Sequence, residues 1–144
     1  MGHAATRATT ILLQGFVAIT AILGALFVVP GLPLDWLQRG PMTDYTLPAV
    51  ALGLVGVSAV VSIVLLAFER PRAPVATMLS GAMMIAFEFV EITVVGLAIV
   101  VHGADNPVSW LQVVYIAIGV TVMMLGYRLW YQMATPWAYA QHPR

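Results

Sequence analysis

The chain contains no cysteine, no lysine and little charge of either sign. The absence of cysteine excludes disulfides, thiolate metal sites and cysteine nucleophiles. Only 8% of its 144 residues are charged, whereas a soluble domain carries about a quarter. So little charge cannot cover a water-facing surface, so most of the exterior must face lipid. The six basic residues, all arginine, balance six acids. They form no basic stripe, and no nucleic-acid partner is expected. There is no Gly-rich phosphate loop and no Ser-His-Asp set at a common depth, which leaves phosphoryl transfer and nucleophilic catalysis without support. A di-metal helix bundle uses Glu-x-x-His on two helices plus further carboxylates. This chain has one Glu-x-x-Glu and no intramembrane histidine, so neither a metal nor a cofactor is expected.

What is present is apolar and long. Hydrophobic residues make up 61% of the chain, and the mean hydropathy is +0.95. Four apolar runs, about 9–29, 47–68, 75–101 and 109–131, are separated by clusters of proline, glycine and charge. The first stops at Pro30-Gly31-Leu32-Pro33. The second opens on Thr46 as N-cap with Pro48 in its first turn, and stops at Glu69-Arg70-Pro71-Arg72. The third ends at His102-Gly103, and the fourth starts at Ser109 behind Pro107. About 20 apolar residues suffice for a helix to cross a hydrocarbon core of about 30 Å. The runs are continuous rather than alternating, which selects helices over a barrel. A secretory signal is disfavoured for the first run, since no small-x-small cleavage site follows it and three more spans do. The predicted fold is all-α: a polytopic membrane protein, a four-transmembrane-helix bundle in one domain, residues 1–144.

Arginine placement predicts the orientation. Arg7, Arg70, Arg72, Arg128 and Arg144 fall at the two ends and the second connection, and only Arg39 lies in the first. By the positive-inside rule both termini are cytoplasmic. Trp36 and Trp110 mark the outer boundary, and Trp130, Tyr131 and Trp137 the inner one, as an aromatic belt requires. The outer loop 30–46 has room for a short interfacial helix over Leu34–Arg39, or is a plain loop anchored by Trp36. The Arg-only, Ala/Val/Gly-rich composition points to a high-GC bacterial genome, and the expected location is the bacterial inner membrane.

Two of the six acids, Glu88 and Glu91, lie inside the third run, Glu88 at its centre. A charge there costs roughly 2.5–3.5 kcal/mol on insertion scales, and intramembrane acids accordingly mark functional sites. At i and i+3 the two share a helix face. In a low dielectric such a pair favours one shared proton over two anions. Thr77, Gly81, Met84, Glu88, Glu91, Val95 and His102 form one stripe, predicted to face the bundle interior. Counting depth from the span ends brings Thr20, Ser58 and Thr121 to the glutamate level, with Met83, Met84, Met123 and Met124 nearby. Gln112 and Tyr115 are placed in an outer vestibule with His102. The predicted ligand-binding set is Glu88, Glu91, Thr20, Ser58, Met84 and Thr121. Against it stand plainer roles: hydroxyls bonded to their own helix carbonyls, methionines as gap-fillers, and His102 as a helix cap. Gly53, Gly56, Ser58, Ser62, Gly119 and Gly126 allow close helix approach, within one bundle or across a homodimer.

The stretches Gly31-Leu-Pro-Leu-Asp-Trp36 and Asp44-Tyr-Thr-Leu-Pro48, with the arginine-bearing turn after the second span, Ser109-Trp-Leu-Gln112 and Leu129-Trp130, resemble a group of uncharacterised small four-transmembrane-helix proteins of bacteria, actinobacteria among them. The resemblance implies the same topology and carries over no activity or site residue. The microsomal glutathione-transferase-like family shares the size and span count, but its Arg/Asn/Glu signature is absent.

Three classes of function fit. The first is binding or transport of a small apolar or cationic molecule at the glutamate pair, coupled to a proton. The second is an accessory subunit whose polar face docks on a larger membrane complex. The third is a membrane enzyme using Glu88 and Glu91 for acid–base chemistry, an enzyme being the less favoured class. A single-chain transporter usually shows internal symmetry. No repeat relates the two halves, so transport would call for a dimer.

Overall fold

The computed structural model describes residues 2–31, 44–102 and 110–140. They form four helices: α1, His3–Leu23; α2, Thr46–Ala67; α3, Ala73–His102; and α4, Trp110–Ala140. All four are long and apolar enough to cross a membrane. The helices do not share the bounds of the apolar runs. α1 begins six residues before Thr9, and α4 continues past Tyr131 to Ala140. At 1.5 Å per residue α3 and α4 reach about 45 Å, so they tilt or project beyond the hydrocarbon. The outer-loop residues 32–43, including Leu34–Arg39, lie outside the described residues.

The helix ends follow local chemistry. α1 widens into a π turn, Gly24–Val28, and tightens into a 3-10 turn, Val29–Gly31. Pro30 has no N–H and its ring crowds the carbonyl of Leu26, four residues back and inside that π turn. At α2 the sequence assigns the cap to Thr46. Here Thr46 is the first helical residue, and its N–H donates to the Asp44 carboxylate at 2.9 Å. α2 ends in a Schellman motif: the Arg70 N–H donates to Leu65 O at 2.9 Å and the Glu69 N–H to Leu66 O at 3.2 Å. The left-handed residue of that motif is Glu69, with φ 52°, where glycine is usual. Its carboxylate forms an ion pair with Arg7 of α1, tying two helices at the arginine-rich end.

Around the bundle, α1 adjoins α2, α2 adjoins α3, α3 packs most closely on α4, and α4 closes on α1. α1 and α3 are therefore diagonal. Small residues set the closest approaches. A Cβ on Gly81 would lie 2.6 Å from Gly119 O, and one on Gly126 3.0 Å from Pro74 O. On the other side, a Cβ on Gly56 would lie 2.6 Å from Ile22 Cγ1. Lipid is as apolar as a leucine side chain, so burying apolar groups gives helices no reason to associate. Close packing and interhelical hydrogen bonds must do so instead.

Side-chain placement reflects that rule. Large apolar groups point outward, among them Leu12, Ile19, Leu26, Phe27, Leu54, Leu79, Phe89, Val90 and Met124. Inside lie small and polar groups: Thr6, Thr10, Gln14, Ser62, Thr77 and Ser80 are all buried. An apolar cluster of Val17, Ala18, Ala21, Val55, Ala59 and Met84 fills the next level along the axis.

Candidate intramembrane carboxyl site

Glu88 occupies the middle of the 30-residue helix α3 and is only 5% exposed. Its neighbours Phe89 and Val90 point outward, so the helix presents its carboxyl to the interior and its phenyl ring to lipid. Glu91, one turn on, is half-buried and shares that face of the helix at i+3. The Oε2 atom of Glu88 is buried and has no hydrogen-bond partner.

α4 supplies the facing wall. Gly81 and Gly119 touch where the antiparallel helices α3 and α4 cross. Glu88 and Gln112 each lie two helical turns from that crossing, in the same direction along the bundle. Register therefore puts them on facing surfaces at one level. Gln112 is 8% exposed. Its side chain interacts with the Glu91 carboxyl, while its own Oε1 is buried without a partner. The sequence assigned Gln112 to an outer vestibule; in the bundle it stands beside the glutamates. Tyr115, one turn further in, stacks on Phe16 of α1 with ring centroids 6.4 Å apart.

The other residues of the expected set are distributed differently. Met84 is buried one turn below Glu88, in the apolar cluster. The Thr20 hydroxyl donates to Phe16 O at 2.9 Å and the Thr121 hydroxyl to Ala117 O at 2.8 Å, each within its own helix. Thr121 is exposed. Ser58 donates to Val55 O at 2.7 Å and contacts Ser80 Oγ at 3.1 Å, two turns and about 12 Å from Glu88 along α3. Ser58 thus belongs to a different polar level. The side chain of His102 lies outside the described residues.

That second level escaped the sequence reading. Ser80 Oγ donates to Gln14 Oε1 at 3.1 Å, and Gln14 Nε2 donates to Ser62 Oγ at 3.2 Å. Ser62 and Thr77 share a 2.8 Å bond. Because Thr77 donates its proton to Ala73 O at 2.9 Å, Ser62 must be the donor to Thr77. Every bond then runs one way, from Ser80 through Gln14 and Ser62 to Thr77, and the Gln14 amide orientation is the one that fits. Gln14 links α1 to its diagonal neighbour α3. The available signal was Thr6, Thr10 and Gln14 at four-residue spacing, a polar stripe on an otherwise apolar helix.

At the arginine-rich end, a cleft of about 130 Å³ is lined by His3, Arg7, Glu69, Arg70, Leu66 and Leu129 among others. Among the described residues no group of three His, Asp or Glu side chains could hold a metal ion.

The fold and these sites define the class: an all-helical bundle of four helices that fits a multi-pass membrane protein. No family model, curated protein or solved structure matches the chain.

Proposed function

We propose that this protein resides in a bacterial inner membrane, both termini cytoplasmic, and binds or transports a small cationic molecule at Glu88 and Glu91. The single observation that carries the reading is Glu88, buried at mid-helix with an unpartnered carboxylate oxygen. A buried acceptor without a partner costs about 1–3 kcal/mol, more if charged. A chain retains that cost where the group has work to do. A carboxyl in such a place holds either a proton or a cation, and alternation between the two is the basis of proton-coupled exchange. Among the described side chains the basic ones, His3, Arg7, Arg70, Arg72 and Arg128, lie towards the opposite end of the bundle, and α2 has none within its helix.

The test is titration of purified protein in lipid nanodiscs with benzylammonium, comparing wild type with Glu88→Gln/Glu91→Gln. Saturable binding that is lost in the double variant supports the reading. Absence of binding to wild type, or equal binding to both, overturns it. A second reading, assembly with another copy or a larger complex through this face, is favoured by Glu91 being only half-buried. Native mass spectrometry distinguishes it by stoichiometry.

A further inference from the structure

Glu88 Oε2 and Gln112 Oε1 are both buried acceptors with no partner, and the Gly81–Gly119 crossing brings them to one level on facing helices. Gln112 also contacts the Glu91 carboxyl, and its own Oε1 remains without a partner. Two buried acceptors on facing helices fit a ligand that contributes at least two N–H groups and a positive charge. From this we infer that the ligand is a primary or secondary ammonium, or a guanidinium, bridging Glu88 and Gln112, and that Gln112 is a specificity-determining residue. The inference rests on the reading of Glu88 as a ligand-binding group, and goes beyond it by fixing the chemistry of the ligand's head.

The remaining surroundings agree with a small, partly apolar cation. Met84 and its alanine- and valine-rich cluster close the site one turn below, and offer contact to carbon but no hydrogen bond. A quaternary ammonium carries the same charge and finds the same cluster, but has no N–H to give. It would leave both oxygens unpartnered. A metal ion is the less suited occupant, since hard cations gather six or more oxygens and the described residues hold no cluster of three acid or imidazole groups.

The experiment is a matched pair of probes, benzylammonium and benzyltrimethylammonium, titrated into wild type, Gln112→Leu and Glu88→Gln in nanodiscs, with thermal melting to verify folding of each. A charge-assisted hydrogen bond of about 1.5–3 kcal/mol corresponds to roughly ten- to hundredfold in affinity. Wild type is expected to prefer benzylammonium by about tenfold or more. Gln112→Leu is expected to weaken benzylammonium by about tenfold and to leave benzyltrimethylammonium within about twofold. Equal binding of both probes to wild type, both lost in Glu88→Gln, overturns the inference while leaving the carboxyl site standing. Binding of neither probe, or binding indifferent to Glu88→Gln, overturns the site itself. Sodium binding tighter than benzylammonium, abolished in Glu88→Gln, would reassign the ligand to a metal cation. If Gln112→Leu fails to fold, Gln112→Asn keeps the carbonyl but withdraws it by one methylene, and must show the same loss for benzylammonium alone.

Discussion

Replacing Gln14 by leucine separates the two forces that hold this bundle. Gln14 is fully buried, accepts from Ser80 at 3.1 Å and donates to Ser62 at 3.2 Å. Leucine nearly keeps its volume and removes both bonds. Interhelical hydrogen bonds in membranes average about 0.6 kcal/mol and reach about 1.7. The Gln14→Leu cost is then about 1 kcal/mol, with a ceiling near 3.5 kcal/mol. It sits at the low end because Ser62 keeps Thr77, and Ser80 can turn its hydroxyl to the carbonyl of Ala76. Alanine removes the same bonds and also leaves a void. At about 24 cal/mol per Å³, a void on the order of 50 Å³ adds about 1 kcal/mol. Gln14→Ala should therefore cost about 2 kcal/mol, twice the leucine variant. The assay is reversible unfolding in mixed micelles, followed by circular dichroism, with Ser80→Ala closing a double-mutant cycle. Leucine proving as costly as alanine would refute the reasoning, because polar linkage rather than packing would then carry the site. A leucine variant as stable as wild type would refute it from the other side.

Four further outcomes are expected. Gly81→Ala forces the new Cβ against the backbone oxygen of Gly119 and should cost about 1–3 kcal/mol, whereas Gly15→Ala, with nothing within 4 Å, should be neutral or up to about 1 kcal/mol stabilising; the same unfolding assay compares them. Glu69→Gly relieves a left-handed backbone worth about 1 kcal/mol but loses an exposed ion pair with Arg7 worth 0–1 kcal/mol, so its melting midpoint should barely move, while Glu69→Val, which loses the pair and keeps the strain, should melt lower. Glu88→Leu removes an orphaned buried oxygen and should raise stability by about 1 kcal/mol while abolishing benzylammonium binding; a loss of stability would mean that the carboxyl is a structural partner. Because the chain has no cysteine, Asp44→Cys and Glu69→Cys give clean labels: in whole cells an impermeant maleimide should modify the first and spare the second, and the reverse pattern would invert the topology.

Amino-acid order alone determined the all-helical class, the count of four long apolar helices and the two acids within the third. The reason is that the bilayer is a solvent with one demand, about 20 apolar residues with their backbone satisfied internally, and that demand is met locally by each segment. It likewise exposed the stripe on which Glu88 lies, since facing direction on one helix follows from a fixed 100° step. Tertiary structure decided which helices adjoin and at what height. Counting from span ends put Ser58 and Thr121 level with Glu88, but helix ends are not level: α4 runs on to Ala140. Height is set instead by where glycine lets two backbones touch, Gly81 on Gly119 and Gly56 on Ile22, and that pairing is a property of two surfaces which neither segment carries by itself. The same registration moved Gln112 from a vestibule to the glutamate wall, and gathered Gln14, Ser62, Thr77 and Ser80, scattered over three helices, into one hydrogen-bonded line.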